Sequence, residues 1–275
     1  MATKIFGNAI SLQERDMSLI RLLAEEFRIL TGEQIHELFP MGSIARRNFR
    51  LKQLRDAGYL SSRSLAGIGA ATKLGYYIGP RAIELFENPT ERRLVSTVRS
   101  QAAQLADSGL AHRMLVDSIH IRFLTAGRHY PEYRLLTWID QYSPSWESIR
   151  SYGVPIQADG YGEYIMLMHF DSLFTFFLEL DRGTERGQAI REKIDRYVAY
   201  AESGVYEKQF AAGQFRVLLV TTSSLRMQGL LKIIESRTDK TFWLTSWDQL
   251  KQAKLFDAYW TRPHMPGLHS LSSHL

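Results

Sequence analysis

The sequence has no cysteine. Disulfides, thiolate nucleophiles and cysteine-bound zinc are therefore excluded, and the composition points to a reducing, intracellular setting. It also lacks any stretch of about 18 uncharged apolar residues, the length a membrane-spanning helix needs. Its start, MATKIFGNAISLQERD, carries no continuous apolar segment of the secretory type. A cytoplasmic protein with no membrane partner is the expectation. Internal repeats and low-complexity tracts are missing too. What remains is an ordinary folded composition, 45% hydrophobic and 23% charged over 275 residues. That length suits one large domain or two modest ones, and two are expected.

The formal net charge of +5 is unevenly placed. Residues 1–100 hold 15 Lys and Arg against 10 Asp and Glu, whereas the rest of the chain holds 19 of each. Between residues 41 and 82, Arg46, Arg47, Arg50, Lys52, Arg55, Arg63, Lys73 and Arg81 stand against the single acid Asp56. Such a concentration of one sign is the electrostatic footprint of a phosphate-bearing partner.

Leu19, Ile20, Leu22, Leu23 and Phe27 recur at helical spacing in RDMSLIRLLAEEFRIL and define an amphipathic first helix. TGEQIHELF opens on Thr31 with Gln34 three residues on, the spacing of a capping box, and Pro40 stops it. After PMG, Ser43 is placed to cap a third helix that closes at Gly58. In that helix Ile44, Leu51 and Leu54 are expected to face the core, while Ser43, Arg46, Arg47 and Arg50 fall at i, i+3, i+4 and i+7 on another face. Arginines so placed can reach guanine edges in a major groove or clamp phosphates. The bland alternative is a solvated charged face, but a merely soluble helix mixes signs and this run is almost purely positive. YLSSRSLAGIGAATKLGYYIGP sets Gly67, Gly69 and Gly75 between short apolar stretches and reads as a two-stranded wing, its tip flanked by Arg63 and Lys73. The expectation is an N-terminal winged helix-turn-helix over residues 1–88 that binds double-stranded DNA. A connecting helix at 89–108 follows, which is also a candidate homodimer element.

From residue 109 the order reads helix (LAHRMLVDSIHIRFLTAG), strand (YRLLTWID), a segment GVPIQADGYGEY and strand (LFTFFLEL). A basic helix (GQAIREKIDRYVAYAESG), a strand (FRVLLVTT), a helix (SLRMQGLLKIIES) and a strand-like TFWLTSW come next. Three sequential strands suit an antiparallel meander, and the strand-helix-strand step suits a right-handed parallel crossover. A mixed sheet flanked by helices is therefore expected over 109–262, with a loose tail at 263–275. LFTFFLELD places Glu179 and Asp181 on one face of its strand. An acid in so apolar a run is expensive to bury without a partner or a metal.

An Asp on the second of these strands and a Glu on the third, here Asp159 and Glu179, resemble the PD-(D/E)xK nuclease-like fold, an α/β mixed sheet of the restriction-endonuclease type. The resemblance implies that Asp159 and Glu179 hold Mg²⁺ or Mn²⁺, a cation that takes hard oxygen ligands, positions a water and stabilises charge on a scissile phosphate. The usual pattern has a lysine two residues after the Glu, and here that position is Asp181, which would tune or complete the site. Lys193, 14 residues after Glu179 on the following helix, is the candidate to assist the nucleophile, with Arg182, Arg186 and Arg191 as competing cations.

Taken together, the winged helix, Asp159, the stretch ELDRGTE from Glu179 to Glu185, the helix with REKIDRY and the earlier HRMLVDSIHIRF look like the replication-relaxation family of plasmids and mobile elements. That family is similar to the MobC-type relaxases, which nick transfer origins without a two-histidine motif. Many relatives have Pro immediately before the first acid; here Ala158 stands there and Pro155 comes earlier. Membership implies DNA binding at an origin, a role in relaxation, replication or mobilisation, and a bacterial, nucleoid- or plasmid-associated location. It also implies partners among other element-encoded replication, transfer or transposition proteins. Two activities stay open: a metal-dependent nickase, and a non-catalytic regulator or recruitment adaptor on a degenerate nuclease-like sheet.

The other conspicuous residues read as packing. His112 and Asp117 lie on the helix before the sheet and suit its surface or a satisfied core. His264, His269 and His274 recur in a Pro/Gly/Ser-rich end rather than at metal-ligand spacing. Tyr197, Tyr200 and Tyr206, like Trp138, Trp243, Trp247 and Trp260, are expected in the core or an interface before any covalent or stacking role.

Overall fold

The computed structural model describes residues 10–65, 73–140, 146, 156–167, 172–183, 187–209, 214–239 and 241–273. The expected wing tip with Gly67 and Gly69, as well as Arg186 and His274, lies outside them. Helices and strands are mixed, and the chain divides into two compact units, Met1–Ile121 and Arg122–Leu275. Among the described residues no helix is long and apolar enough to cross a membrane.

The first unit runs α1 (Glu14–Glu25), β1 (Leu30–Thr31), α2 (Gly32–Leu38), α3 (Ile44–Asp56), β2 (Leu60–Leu65), β3 (Lys73–Ile78), a 3-10 turn (Pro80–Leu85) and α4 (Pro89–Gln104). Helix α5 (Asp107–Thr125) adds its residues up to Ile121. The strands form an antiparallel sheet in the order β1-β3-β2. Local chemistry fixes the helix ends. The Thr31 hydroxyl accepts from the Gln34 N–H at 3.2 Å while Gln34 Oε1 accepts from the Thr31 N–H at 2.9 Å, a reciprocal box. Ser43 Oγ accepts from the Arg46 N–H at 3.2 Å. At the other end of α3, Gly58 and Tyr59 donate their N–H groups to the carbonyls of Arg55 and Leu54, both at 2.9 Å. Gly58 takes φ +83° to do so, a conformation that a residue without Cβ adopts at little cost.

Leu19, Leu23, Phe27, Ile35, Leu51, Leu54 and Ile78 meet in the core of this unit. Ile44 does not. It is 64% exposed, because it opens α3 and the helix reaches the core only further along, at Leu51 and Leu54; Met41 in the turn before it is buried instead.

The second unit holds, among the described residues, a seven-stranded mixed sheet. Its elements are β4 (Tyr133–Asp140), β5 (Gly160–Met166), β6 (Ser172–Asp181), α6 (Gly187–Glu202), α7 (Val205–Gln209), β7 (Phe215–Thr221), α8 (Ser224–Glu235), β8 (Phe242–Ser246), α9 (Trp247–Gln252), β9 (Trp260–Arg262) and β10 (Met265–His269). The order is β10-β9-β8-β7-β6-β5-β4. Strands β4, β5 and β6 make the expected antiparallel meander, and β6, β7 and β8 run parallel. Every residue of β7 and β8 is buried, the pattern of central parallel strands covered on both faces. Gly162 belongs to β5 for a packing reason: Phe176 lies opposite, and a Cβ on Gly162 would meet its ring at 2.3 Å.

The segment expected as a loose tail closes the sheet edge. β10 pairs with β9, and Leu271 is fully buried. Its carbonyl accepts from the Tyr164 hydroxyl at 2.9 Å and from Arg216, which also donates to the Ser273 carbonyl at 2.8 Å. A buried leucine and carbonyls that satisfy a buried guanidinium outweigh the Pro/Gly/Ser composition.

Candidate functional site

Glu179 and Asp181 share one face of β6 in the second unit, and Asp159 stands just before the neighbouring β5. The Asp159 N–H donates to the Leu178 carbonyl at 2.9 Å, and its Oδ2 accepts from the Leu180 N–H at 2.8 Å. Asp159 is thus tied to the β6 backbone on either side of Glu179, whose carboxyl feels its charge. Helix α6 covers this face, with Ile190, Ile194 and Tyr197 packed in one core with Tyr161 and Phe177. Lys193 and Tyr197, one turn apart on α6, both reach Glu179. Lys193 Nζ donates to Oε2 at 2.8 Å and the Tyr197 hydroxyl donates to Oε1 at 2.6 Å.

Glu179 is only 4% exposed. Burial pushes its carboxyl up to about 7; the Lys193 ammonium pulls the other way, and the charge of Asp159 adds to the rise. The Tyr197 phenol is raised well above its ordinary range by burial and then by the Glu179 charge, so it remains a donor. The structure thus joins Asp159, Glu179 and Lys193, residues 34 positions apart at the extremes, into one cluster.

Asp181 belongs to a different set of bonds. Its Oδ2 accepts from Arg226 Nε at 2.7 Å and from the Thr221 hydroxyl at 3.0 Å, and its Oδ1 accepts from the Gly183 N–H at 3.0 Å. Burial pushes this carboxyl up, but the bonds from Arg226, Gly183 and Thr221 outweigh it and hold the group below the usual carboxylate range. Of the cations named beside Lys193, Arg182 and Arg191 are exposed.

Hard divalent cations prefer six or more oxygen ligands. Both oxygens of Glu179 already hold donors, one of them an ammonium, and among the described residues no group of three or more His, Cys, Asp or Glu side chains gathers around one point. So arranged, Asp159 and Glu179 would hold Mg²⁺ or Mn²⁺ only after Lys193 and Tyr197 release the Glu179 oxygens. In the cluster both oxygens of a buried carboxyl are hydrogen-bonded, one by an ammonium and one by a phenol.

In the first unit the six residues expected at DNA separate. Arg46 is exposed, and Arg47 bonds Asn48 Oδ1 through Nε at 3.0 Å. Ser43 is engaged as the cap of α3. Arg50 turns to Asp16, a fully buried acid, and also donates to the Ser11 carbonyl at 2.8 Å. Arg63 donates to the Leu105 carbonyl at 2.6 Å, at the end of α4. Lys73 pairs with Glu33 at 2.7 Å. Asp117, read as a surface or core residue, is buried and bonded to Arg113 at 2.9 Å. His120 beside it is held down to about 3 by burial and then by Arg113, hence neutral.

Sequence reasoning placed Tyr197 in the core or an interface without tying it to Glu179, and did not single out Arg226 or Asp16. Tyr197 had a signal, its i+4 spacing from Lys193 on an amphipathic helix. Arg226 and Asp16 had none, since each meets its partner through packing of distant elements, 45 and 34 positions away.

The family model described as Replication-relaxation matches residues 21–218. No curated protein and no solved structure matches the chain.

Proposed function

Because the chain belongs to the replication-relaxation family, we propose that it is a duplex DNA-binding protein acting in replication or relaxation of a plasmid or mobile element. The first unit is the DNA reader: the order helix, strand, helix, helix, strand, strand is that of a winged helix, with α3 as its recognition helix. One observation carries this reading. The exposed side of α3 presents Arg46, Arg47, Lys52 and Arg55 against Asp56 alone, in the part of the chain that holds the whole charge excess. Phosphates are the partner such a surface suits. A labelled duplex from around the protein's own gene tests it: binding is expected, and an Arg46→Ala/Arg47→Ala variant is expected to weaken it. A folded wild type that leaves the duplex unbound in low salt would sink the reading.

A second reading, a DNA nickase, is favoured by the meeting of Lys193 with Glu179 close to Asp159. It requires Lys193 and Tyr197 to release Glu179. Supercoiled plasmid incubated with Mg²⁺, Mn²⁺ or EDTA decides between them. Metal-dependent open circles from the wild type and not from Glu179→Ala would establish the nickase; closed circles alongside a shifted band for a short fragment support the binding protein.

A further inference from the structure

The stripe expected from sequence, Ser43-Arg46-Arg47-Arg50, is not one surface, since Arg50 is withdrawn onto buried Asp16. The cations of this unit gather elsewhere. Arg47, Lys52 and Arg55 on one flank of α3 and Lys73 on β3 line a cleft of about 420 Å³, whose other walls are Thr31, Gly32, Glu33, Asn48, Leu74 and Tyr76. Arg47 lies alongside Gly32, where a Cβ would stand in ordinary contact with its Nε at 3.4 Å.

We infer that this cleft is the track for the sugar-phosphate backbone of the bound duplex, resting on the DNA-binding reading above and relocating its contacts. Two exposed carboxylates hold the cleft's cations when no DNA is present. Lys73 pairs with Glu33 at 2.7 Å, and Asp56 accepts from Lys52 at 2.6 Å and from Arg55 at 3.3 Å. The Lys52 and Lys73 side chains are 64% and 39% exposed. A small anion needs a closed cradle of fixed donors. Long, half-solvated cations on two elements, paired weakly with replaceable carboxylates, suit a continuous polyanion that binds by releasing counterions. Charge complementarity is therefore the argument for backbone phosphate as the occupant.

The test is a salt series with the full chain and a labelled mixed-sequence duplex, read by anisotropy. Lys52→Ala/Lys73→Ala is compared with Arg21→Ala/Arg93→Ala, which removes the same charge from exposed positions on α1 and α4. Each phosphate contact contributes roughly 0.9 to the slope of log K against log salt, so the cleft variant should lose about two units of slope and the control almost none. Glu33→Gln/Asp56→Asn should tighten binding severalfold. Equal losses in both charge-removing variants would overturn the cleft and leave net charge as the cause. An unchanged slope in Lys52→Ala/Lys73→Ala would overturn it as well, and so would polyglutamate competing as strongly as unlabelled duplex. If the wild type binds no duplex at all, the DNA-binding reading falls first. Matching melting curves for all variants keep misfolding out of the comparison.

Discussion

The two units use arginine in opposite ways. In the first, Arg46 on α3 is exposed and Arg47 is half-exposed, bonded to the neighbouring Asn48. In the second, Arg216 and Arg262 are 2% and 8% exposed, each with its guanidinium 4.6 Å from the ring centre of Trp243. Arg216 also lies 4.5 Å from the Phe174 ring and donates to Tyr164 Oη at 2.9 Å. Burial lowers both guanidinium pKa values, and the charge of Arg216 adds to the effect on Arg262. The residue type is the same; hydration separates the roles. A cation left in water is available for exchange with phosphate, whereas one taken out of water is committed to the carbonyls and π faces that replaced its hydration.

Arg216→Ala should show this most strongly. It takes the Ser273 carbonyl's donor away, leaves the Leu271 carbonyl with Tyr164 alone and empties a stacked site, so the second unit should lose roughly 4 kcal/mol, read by denaturation with tryptophan fluorescence. DNA binding at low temperature should persist. If binding disappears while the first unit stays folded, the division of labour between the units is wrong.

Glu179 gives the next effect, through pH. Its carboxyl is at about 7 in the fold against 4.5 ordinarily, so between those values the folded state holds more protons than the unfolded one. Its stabilising contribution is complete below pH 4.5 and is lost as pH rises through about 7. The decline is on the order of 3 kcal/mol at about 1.4 kcal/mol per pKa unit. Glu179→Gln should flatten that part of the stability profile. An unchanged profile would mean that Lys193 keeps Glu179 ionised throughout.

Within α3 the comparison can be sharpened between neighbours. Arg50→Ala breaks a pair with buried Asp16 and should remove about 2 kcal/mol of stability with little change in salt slope. Arg46→Ala should leave the melting midpoint where it was and act on DNA binding alone. An Arg50 variant that melts like the wild type but binds poorly would restore the stripe read from sequence. The smallest expected change is at Asp56, whose carboxyl is held below its ordinary range by Lys52 and Arg55 at the surface. Asp56→Asn should leave the melting midpoint unmoved, because exposed pairs contribute little.

The residues that the sequence made legible are those whose partners are close along the chain. Thr31 with Gln34, Ser43 with the Arg46 N–H, and the glycine turn at Gly58 all operate within a few positions, and each was found where spacing put it. The antiparallel meander and the parallel crossover of the second unit were legible too, because short apolar runs separated by helical periods leave few ways to build a mixed sheet, but β9 and β10 were not read as strands. The family resemblance read from ELDRGTE and REKIDRY is borne out by the match over residues 21–218. Ile44 misled because periodicity assigns a face and cannot tell how far along a helix the core begins. The final segment misled because its composition says nothing of the carbonyls that Arg216 requires.

The amino-acid sequence alone marked where the first helices start and stop and which third of the chain is positive, since these depend on short-range hydrogen bonds, periodicity and composition. The packed fold alone decided which partner each charge meets. Arg50 meets Asp16, Asp181 meets Arg226, and Lys193 with Tyr197 closes over Glu179, while Arg47, Lys52, Arg55 and Lys73 are left around an open cleft. The physical reason is that an ion pair is settled by distance and dielectric in the packed chain, and neither is a property of spacing along the sequence.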